Sequence, residues 1–186
     1  MVTLTTITPP SQEPLTAADP VLRQHLRKFE DETHEDALIG ELIAAARADV
    51  ETYTRLRLLT QTVTWTRDGF CSIEIPVAPV QELVEVRYLS SDGSWVTVAS
   101  DVYRLTGRRV VAAPGKVWPV PACEPGNVEI DVKVGYGDAA SDVRPEILHA
   151  VRRHVAHLLL HRGDQAADGG MTEAVRRTLR PFILWM

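Results

Sequence analysis

The spacing of apolar residues along this chain changes twice, first near Thr60 and again near residue 138. Before Thr60, apolar residues recur every three or four positions, which is the spacing of one face of an α-helix. That stripe consists of Ile39, Ile43, Ala46, Val50 and Tyr53. Between the two changes, apolar and polar residues alternate in short runs, as they do in half-buried β-strands. The order of the periods therefore predicts a β subdomain inserted between helices.

Turn residues divide the alternating region into hairpins. Ser-Ser-Asp-Gly separates the runs LVEVRYL and SWVTV, and Thr106-Gly107-Arg108 separates DVYRL from RVVAA. Glycine and aspartate in such short connections favour tight β-turns. A long final run, NVEIDVKVGYG, predicts a further strand. Short strands with regular turns are typical of a small antiparallel sheet or barrel.

We therefore predict an α+β fold, namely a helical bundle with an inserted small antiparallel β subdomain and an extended C-terminal tail. The bundle covers residues 15–59 and 138–163, and the inserted β subdomain covers residues 60–137. Residues 1–14, rich in Thr and Pro, form an N-terminal arm. Residues 164–186 form a polar linker followed by an anchoring helix and tail.

Residues that favour helix starts precede each predicted helix. Thr16 is in position to cap the first helix, and Thr33 with Asp36 resembles a capping box for the second. Pro145 suits the first turn of the third helix, where a missing N–H costs nothing. Thr172 opens the last helix.

Composition excludes several classes of protein. The net charge is −5, from 25 acidic and 20 basic residues, so the basic footprint of a nucleic-acid-binding domain is absent. The two cysteines, Cys71 and Cys123, form no CxxC pair, which argues against a structural zinc site. The start of the chain has no charged and apolar signal segment, and no apolar run is long enough to span a membrane. We expect a soluble protein made in a reducing cytoplasm, with no membrane partner.

A run from His149 to Arg162 contains four of the six histidines. On a helix, His154, His157 and His161 lie together on one flank of the apolar face, and His149 points away from it. These three residues allow three interpretations. They are metal ligands, or they are boundary histidines that pack by their rings, or they lie at a subunit interface. We favour the last two, and we name the three as candidates for a subunit interface.

The metal interpretation implies a metal-dependent enzyme, and it lacks further ligands. No carboxylate shares the histidine flank, as an HExxH site would require, and Asp36, Asp49 and Glu51 on the second helix read as a solvated face. A phosphate-binding GxxxxGK[ST] loop, a GxGxxG motif and a GxSxG elbow are also missing from the sequence. We therefore predict no catalytic, cofactor-binding or metal-binding residues.

The C-terminal segment is unusually apolar for a chain end. Left in water, it would form the kind of exposed patch that monomers avoid, so it either folds back or docks on another chain. Arginines before it form either an ordinary solvated helix surface or a basic surface suited to an acidic partner. We predict docking on another chain through Arg176, Arg177, Leu179, Arg180, Phe182, Ile183, Leu184, Trp185 and Met186.

Four sequence segments appear in an order that resembles a known family. A short helix with HLR is followed by EDALIGELIAAARADVETYT, then by a strand with QTVTW and by VKVGYGDAASDVRPEILHAV. This order resembles the head–tail connector (adaptor) proteins of tailed bacteriophages and of gene transfer agents. The similarity extends over most of residues 15–163, and the apolar tail is outside it.

The resemblance implies a structural virion protein at the head–tail junction. Copies would form a ring, about twelve in number, beneath the portal and would link the capsid to the next neck or tail protein. DNA would pass through the ring without specific binding, which agrees with an acidic chain because phosphate binding needs clustered cations. Family members carry no catalytic residues. A neck stopper or a tail-completion protein is the alternative within the same particle.

Overall fold

The computed structural model describes residues 3–29, 31–71, 73–161 and 170–185. Within these ranges the chain forms four α-helices and two antiparallel sheets, which confirms the predicted α+β class. The chain divides into two compact units. One comprises residues 1–10 and 60–135, and the other comprises residues 11–59 and 136–186.

The first unit is built on a five-stranded antiparallel sheet with the strand order β1-β2-β8-β4-β5. Its strands are β1 (Thr3–Thr8), β2 (Gln61–Arg67), β4 (Val80–Leu89), β5 (Trp95–Thr97) and β8 (Val128–Val134). A smaller sheet has the order β3-β7-β6. Its strands are β3 (Ile73–Glu74), β6 (Tyr103–Thr106) and β7 (Arg109–Ala112). Both predicted hairpins are confirmed, because β4 pairs with β5 and β6 pairs with β7.

The core of this unit follows from the alternation of side chains along the strands. Val63 lies opposite Val132 and Trp65 opposite Ile130, and all four side chains are buried. On the opposite face, the Thr64 hydroxyl donates to the Asp131 carboxylate at 2.6 Å, so this buried acid is satisfied. Burying several large side chains, each worth roughly 1.5–3 kcal/mol, stabilises the sheet.

The N-terminal segment is a strand over much of its length. The prediction was an extended arm over residues 1–14, but β1 pairs antiparallel with β2, and Thr5 lies opposite Thr64. The pairing has a simple reason, since the four Thr residues and Ile7 of this segment favour β structure and β2 offers an edge with unpaired backbone groups. Farther along, Glu13 pairs with Arg47 at 2.6 Å in the second unit.

The second unit contains the helices α1 (Pro20–Leu26), α2 (Asp36–Thr54), α3 (Pro145–Leu160) and α4 (Glu173–Leu179). The predicted apolar stripe of α2 is buried, with Tyr53 half-buried at its end. It packs against α3, which also contacts α1 and α4. The facing stripe on α3 contains Ile147, Val151 and Val155, all fully buried.

Two of the predicted helix caps are wrong, and tertiary contacts explain one of them directly. The cap of α1 is Asp19, which accepts from the Leu22 N–H at 2.7 Å, rather than Thr16. Asp36 does not form a capping box on α2, because its carboxylate accepts two hydrogen bonds from Arg23 at 2.8 and 3.0 Å. The other two predictions are confirmed, since Pro145 starts α3 and Thr172 caps α4.

The Asp19 carboxylate links α1 to α3 and makes the stability of the second unit depend on pH. It lies 3.2 Å from Nη2 of Arg152. Burial raises the pKa of Asp19, but hydrogen bonds from Arg152 and from the Leu22 N–H outweigh that effect, so its pKa lies below the ordinary value. A lowered pKa in the folded state stabilises the protein above the unfolded pKa, and this contribution is lost as the pH falls.

We expect Asp19→Asn to reduce stability at pH 7 and to flatten the loss of stability between about pH 5 and pH 2. Urea unfolding at several pH values measures this. Asp31→Asn is the matched control, because Asp31 is exposed and has no ion pair in the part of the chain that the structure describes. Equal pH profiles for wild type and Asp19→Asn would contradict the assignment.

Candidate functional site

His154 lies in the core of the second unit rather than on an open flank. Its side chain is fully buried, and Nε2 lies 2.8 Å from Oδ2 of Asp49 on α2. The sequence nominated no carboxylate from outside α3 for the histidine flank, and packing of α2 on α3 supplies one, Asp49, from a distant part of the sequence. The pair joins two helices inside the unit, and it leaves His154 inaccessible to a neighbouring subunit.

The other two histidines form a row with His154 instead of converging on one point. The ring centroids of His157 and His161 are 4.2 Å apart, and those of His154 and His157 are 6.5 Å apart. His157 is half-buried and His161 is exposed. Among the described residues, no group of three or more His, Cys, Asp or Glu side chains has a geometry that could hold a metal ion. His157 and His161 remain candidates for a subunit interface.

Of the three acidic residues of α2 that were predicted to form a solvated face, Glu51 is buried and Asp36 is half-buried, whereas the Asp49 side chain is 52% exposed. The prediction is therefore wrong for Glu51, and all three carboxylates have partners inside the unit. Glu51 is 5% exposed and accepts hydrogen bonds from the Leu58 N–H at 2.8 Å and from Nη1 of Arg47 at 3.1 Å. Asp36 binds Arg23, and Asp49 binds His154. A helical-wheel argument missed the contacts with Arg23, Leu58 and His154 because these partners lie outside α2.

An open cleft lies between α3 and α4 and has two arginines in its lining. It encloses about 390 Å³ and is lined by Arg153, Glu173, Ala174, Arg177 and Thr178. Glu173 also lies 3.5 Å from Arg180, so its charge is shared. Neither Arg153 nor Arg177 has an ion-pair partner within residues 3–29, 31–71, 73–161 and 170–185. Arg153 and Arg177 are 24 residues apart in the sequence, and only the packing of α4 on α3 brings them together.

The C-terminal segment is divided between the core and the surface. Val175 and Leu179 of α4 are buried, at 1% and 0% exposed. After α4 and a 3-10 turn, the Leu184 N–H donates to the Thr54 carbonyl oxygen at 2.9 Å. Trp185 is 79% exposed.

Phe182 contributes to this return of the chain, since its ring lies 5.6 Å from the Arg144 guanidinium carbon in a cation–π contact. Phe182, Ile183 and Leu184 are all half-buried, and Met186 lies outside the described residues. Docking was predicted for the whole segment. In the described part of the tail, Trp185 is the most exposed apolar side chain. Docking of this segment stays a prediction.

No helix in the described part of the chain is both long and apolar enough to cross a bilayer.

No protein-family model matches the chain, and no curated protein sequence matches it significantly. Solved structures do match. The chain is similar to a chain in the neck of an empty gene transfer agent particle computed with C6 symmetry, with 26% identity, 99% of this chain and 96% of that chain covered, and a TM-score of 0.78. A chain of the virion of a native gene transfer agent particle is 26% identical, with 98% and 96% covered and a TM-score of 0.76.

A third match, to the neck of a native particle computed with C12 symmetry, has 24% identity, a TM-score of 0.70, and coverage of 95% of this chain and 94% of that chain. These similarities confirm the resemblance expected from the sequence. They support a structural neck protein located at the head–tail junction of a virion-type particle.

Proposed function

We propose that this chain, as a neck protein of the gene transfer agent type, forms a ring of about twelve copies that acts as the head–tail adaptor. The ring docks beneath the portal protein, binds the next neck or tail protein, and lets DNA pass through its centre. Its role is structural rather than catalytic. Similarity over nearly the whole chain to neck structures computed with C6 and C12 symmetry is the observation that carries the proposal.

The acidic character of the chain supports passage of DNA without specific binding. Tight binding to phosphates depends on clustered Lys and Arg side chains that release counterions. Here the net charge is −5, and several arginines are already paired with acidic residues inside the protein, including Arg23, Arg47 and Arg152. We therefore expect weak binding of duplex DNA that disappears at moderate salt.

The tail after α4 supports a contact with the portal. Trp185 combines large apolar area with an indole N–H, a combination that is frequent at the energetic centre of protein interfaces. It follows Leu184, whose backbone is held at the end of α2, so the tryptophan is presented from a defined position. The structure also narrows the predicted anchor, since α4 belongs to the core of the second unit and the residues after it are available for docking.

Trp185→Ala tests the anchor. We expect its affinity for the purified portal protein of the same particle to fall at least tenfold, equivalent to about 1.4 kcal/mol, with an unchanged free energy of unfolding because the side chain is exposed. Trp95→Ala is the matched control, since Trp95 is also exposed but lies on β5 of the other unit. Surface plasmon resonance and urea unfolding provide the two measurements.

Unchanged portal affinity in Trp185→Ala would contradict the anchor. Binding of the wild-type chain to a tail protein but not to the portal would favour the stopper or tail-completion role instead. Mass measurement of the assembly counts the copies in the ring.

A further inference from the structure

We propose that the cleft lined by Arg153 and Arg177 binds the acidic segment 31–41 of a second copy of this chain. This inference rests on the proposed ring and names one of its subunit contacts. Segment 31–41 contains five acidic residues and no Lys or Arg. The cleft and segment 31–41 both belong to the second unit, so the contact would join the second unit of one copy to the second unit of the next.

The cleft has the charge and shape that a carboxylate requires. Arg153 is half-buried on α3 and Arg177 is exposed on α4, so one guanidinium is held by packing and the other lies at the rim. A planar guanidinium can donate two parallel hydrogen bonds to a carboxylate, and such pairs are stronger than those between neutral groups. Glu173, the acidic residue in the lining, shares its charge with Arg180.

The neighbourhood of Arg153 is electropositive. The pKa of His149 on α3 is lowered, first by burial and then by the charges of His25, Arg153 and Arg152. Arg152 is paired with Asp19, whereas Arg153 has no such partner among the described residues. An incoming carboxylate would therefore meet a surface on which positive charge is not yet compensated.

The acidic segment retains negative charge after its internal pairs are counted. Lys28 pairs with Glu32 at 3.8 Å and with Glu35 at 2.6 Å, and Arg23 pairs with Asp36. Lys28 and Arg23 thus pair with three of the five carboxylates, and two positive charges compensate only part of their three negative charges. The other two, Asp31 and Glu41, are exposed and have no ion pair within the described ranges.

The cleft and the acidic segment lie at different places on one copy. The segment leads into the N-terminal end of α2 at Asp36. Arg153 of the cleft directly precedes His154, whose Nε2 lies 2.8 Å from Asp49 on α2. Thirteen residue steps separate Asp36 from Asp49 along the helix, which is about 20 Å. Two complementary surfaces at different positions produce a head-to-tail contact rather than a two-fold dimer, and such a contact closes into a ring when the rotation between copies fits.

A charge swap tests the contact. In the presence of the portal protein, we expect Arg153→Glu with Arg177→Glu to weaken assembly at least tenfold at low salt, and Asp31→Lys with Glu41→Lys to do the same. Combining all four substitutions restores attraction with inverted signs, so assembly returns. A mixture of the two double variants also assembles, because each supplies the complement that the other lacks. Arg104→Glu, an exposed charge reversal on β6, is the matched control.

Native mass spectrometry measures the assembly, and circular dichroism confirms that each variant is folded. Full assembly of the cleft variant contradicts this contact while leaving the ring and the portal anchor intact. Loss of assembly without rescue in either the combined variant or the mixture also contradicts it. Loss of duplex DNA binding by the cleft variant, with assembly unchanged, would identify phosphate as the ligand. A wild-type chain that stays monomeric beside the portal contradicts both the ring and the contact.

Discussion

Replacing Glu51 with alanine lowers the free energy of unfolding by about 3 kcal/mol, because breaking a buried ion pair leaves its partners unsatisfied. The Glu51 side chain is 6% exposed. Its carboxylate accepts from the Leu58 N–H at 2.8 Å and from Arg47 at 3.1 Å. Truncation leaves a buried backbone N–H without its acceptor and removes one of two carboxylates from Arg47.

Two further variants of α2 show whether the loss of stability comes from the buried carboxylate itself, from a change in helix propensity or from the removal of a charge. Glu51→Gln keeps an oxygen that can accept from Leu58, so we expect roughly half the loss. Glu41→Ala removes an exposed acid from the same helix, and we expect a change within about 0.5 kcal/mol. Urea unfolding followed by circular dichroism measures all three. A Glu51→Ala variant as stable as Glu41→Ala would refute the buried network.

Replacing Leu179 with alanine lowers the free energy of unfolding by about 2–5 kcal/mol, the range for removal of a fully buried leucine. Leu179 is 0% exposed and, together with Val175, forms the buried face of α4. Helix α4 has seven residues, too few to be stable in isolation, so its packing on α3 must hold it. Loss of that packing would also displace Arg177, which lines the cleft from α4.

Leu160→Ala is the matched control, since Leu160 is 79% exposed at the end of α3, and we expect little effect. Trp185→Ala should also leave stability unchanged, which separates the fold of α4 from docking by the tail. Equal stabilities for Leu179→Ala and Leu160→Ala would mean that α4 is not part of the core. In that case the whole of residues 172–186 would act as a detachable anchor, as the sequence first indicated.

Sequence reasoning was most successful where neighbouring residues decide the outcome. The stripe from Ile39 to Val50 predicts α2, and alternation predicts β2, β4 and β8, because side-chain period follows directly from backbone geometry. The two hairpins follow from turn residues in the same way. Pro145 and Thr172 mark helix starts correctly, since a first helical turn needs no distant partner.

Sequence reasoning failed where a polar side chain could bind more than one partner. Thr16 and Asp36 have the residue types of helix caps, yet Asp19 caps α1 and Asp36 binds Arg23. The sequence predicts a solvated Asp49, but in the folded protein α3 places His154 within hydrogen-bonding distance of its carboxylate. The spacing of residues in the sequence does not show which distant group a carboxylate will contact in the folded protein. That contact decides whether the acid is exposed, caps a helix or forms an ion pair.

Local periodicity in this chain was enough to predict the α+β class and the main elements, since each depends on residues close together along the backbone. The resemblance to neck proteins came from particular sequence segments and their order. Tertiary packing alone decided that α4 is core, that Trp185 is left exposed, and that Arg153 and Arg177 share one cleft. The physical reason is that burial and charge compensation are properties of groups brought together in space. The surfaces left uncompensated after folding are those from which this protein can assemble.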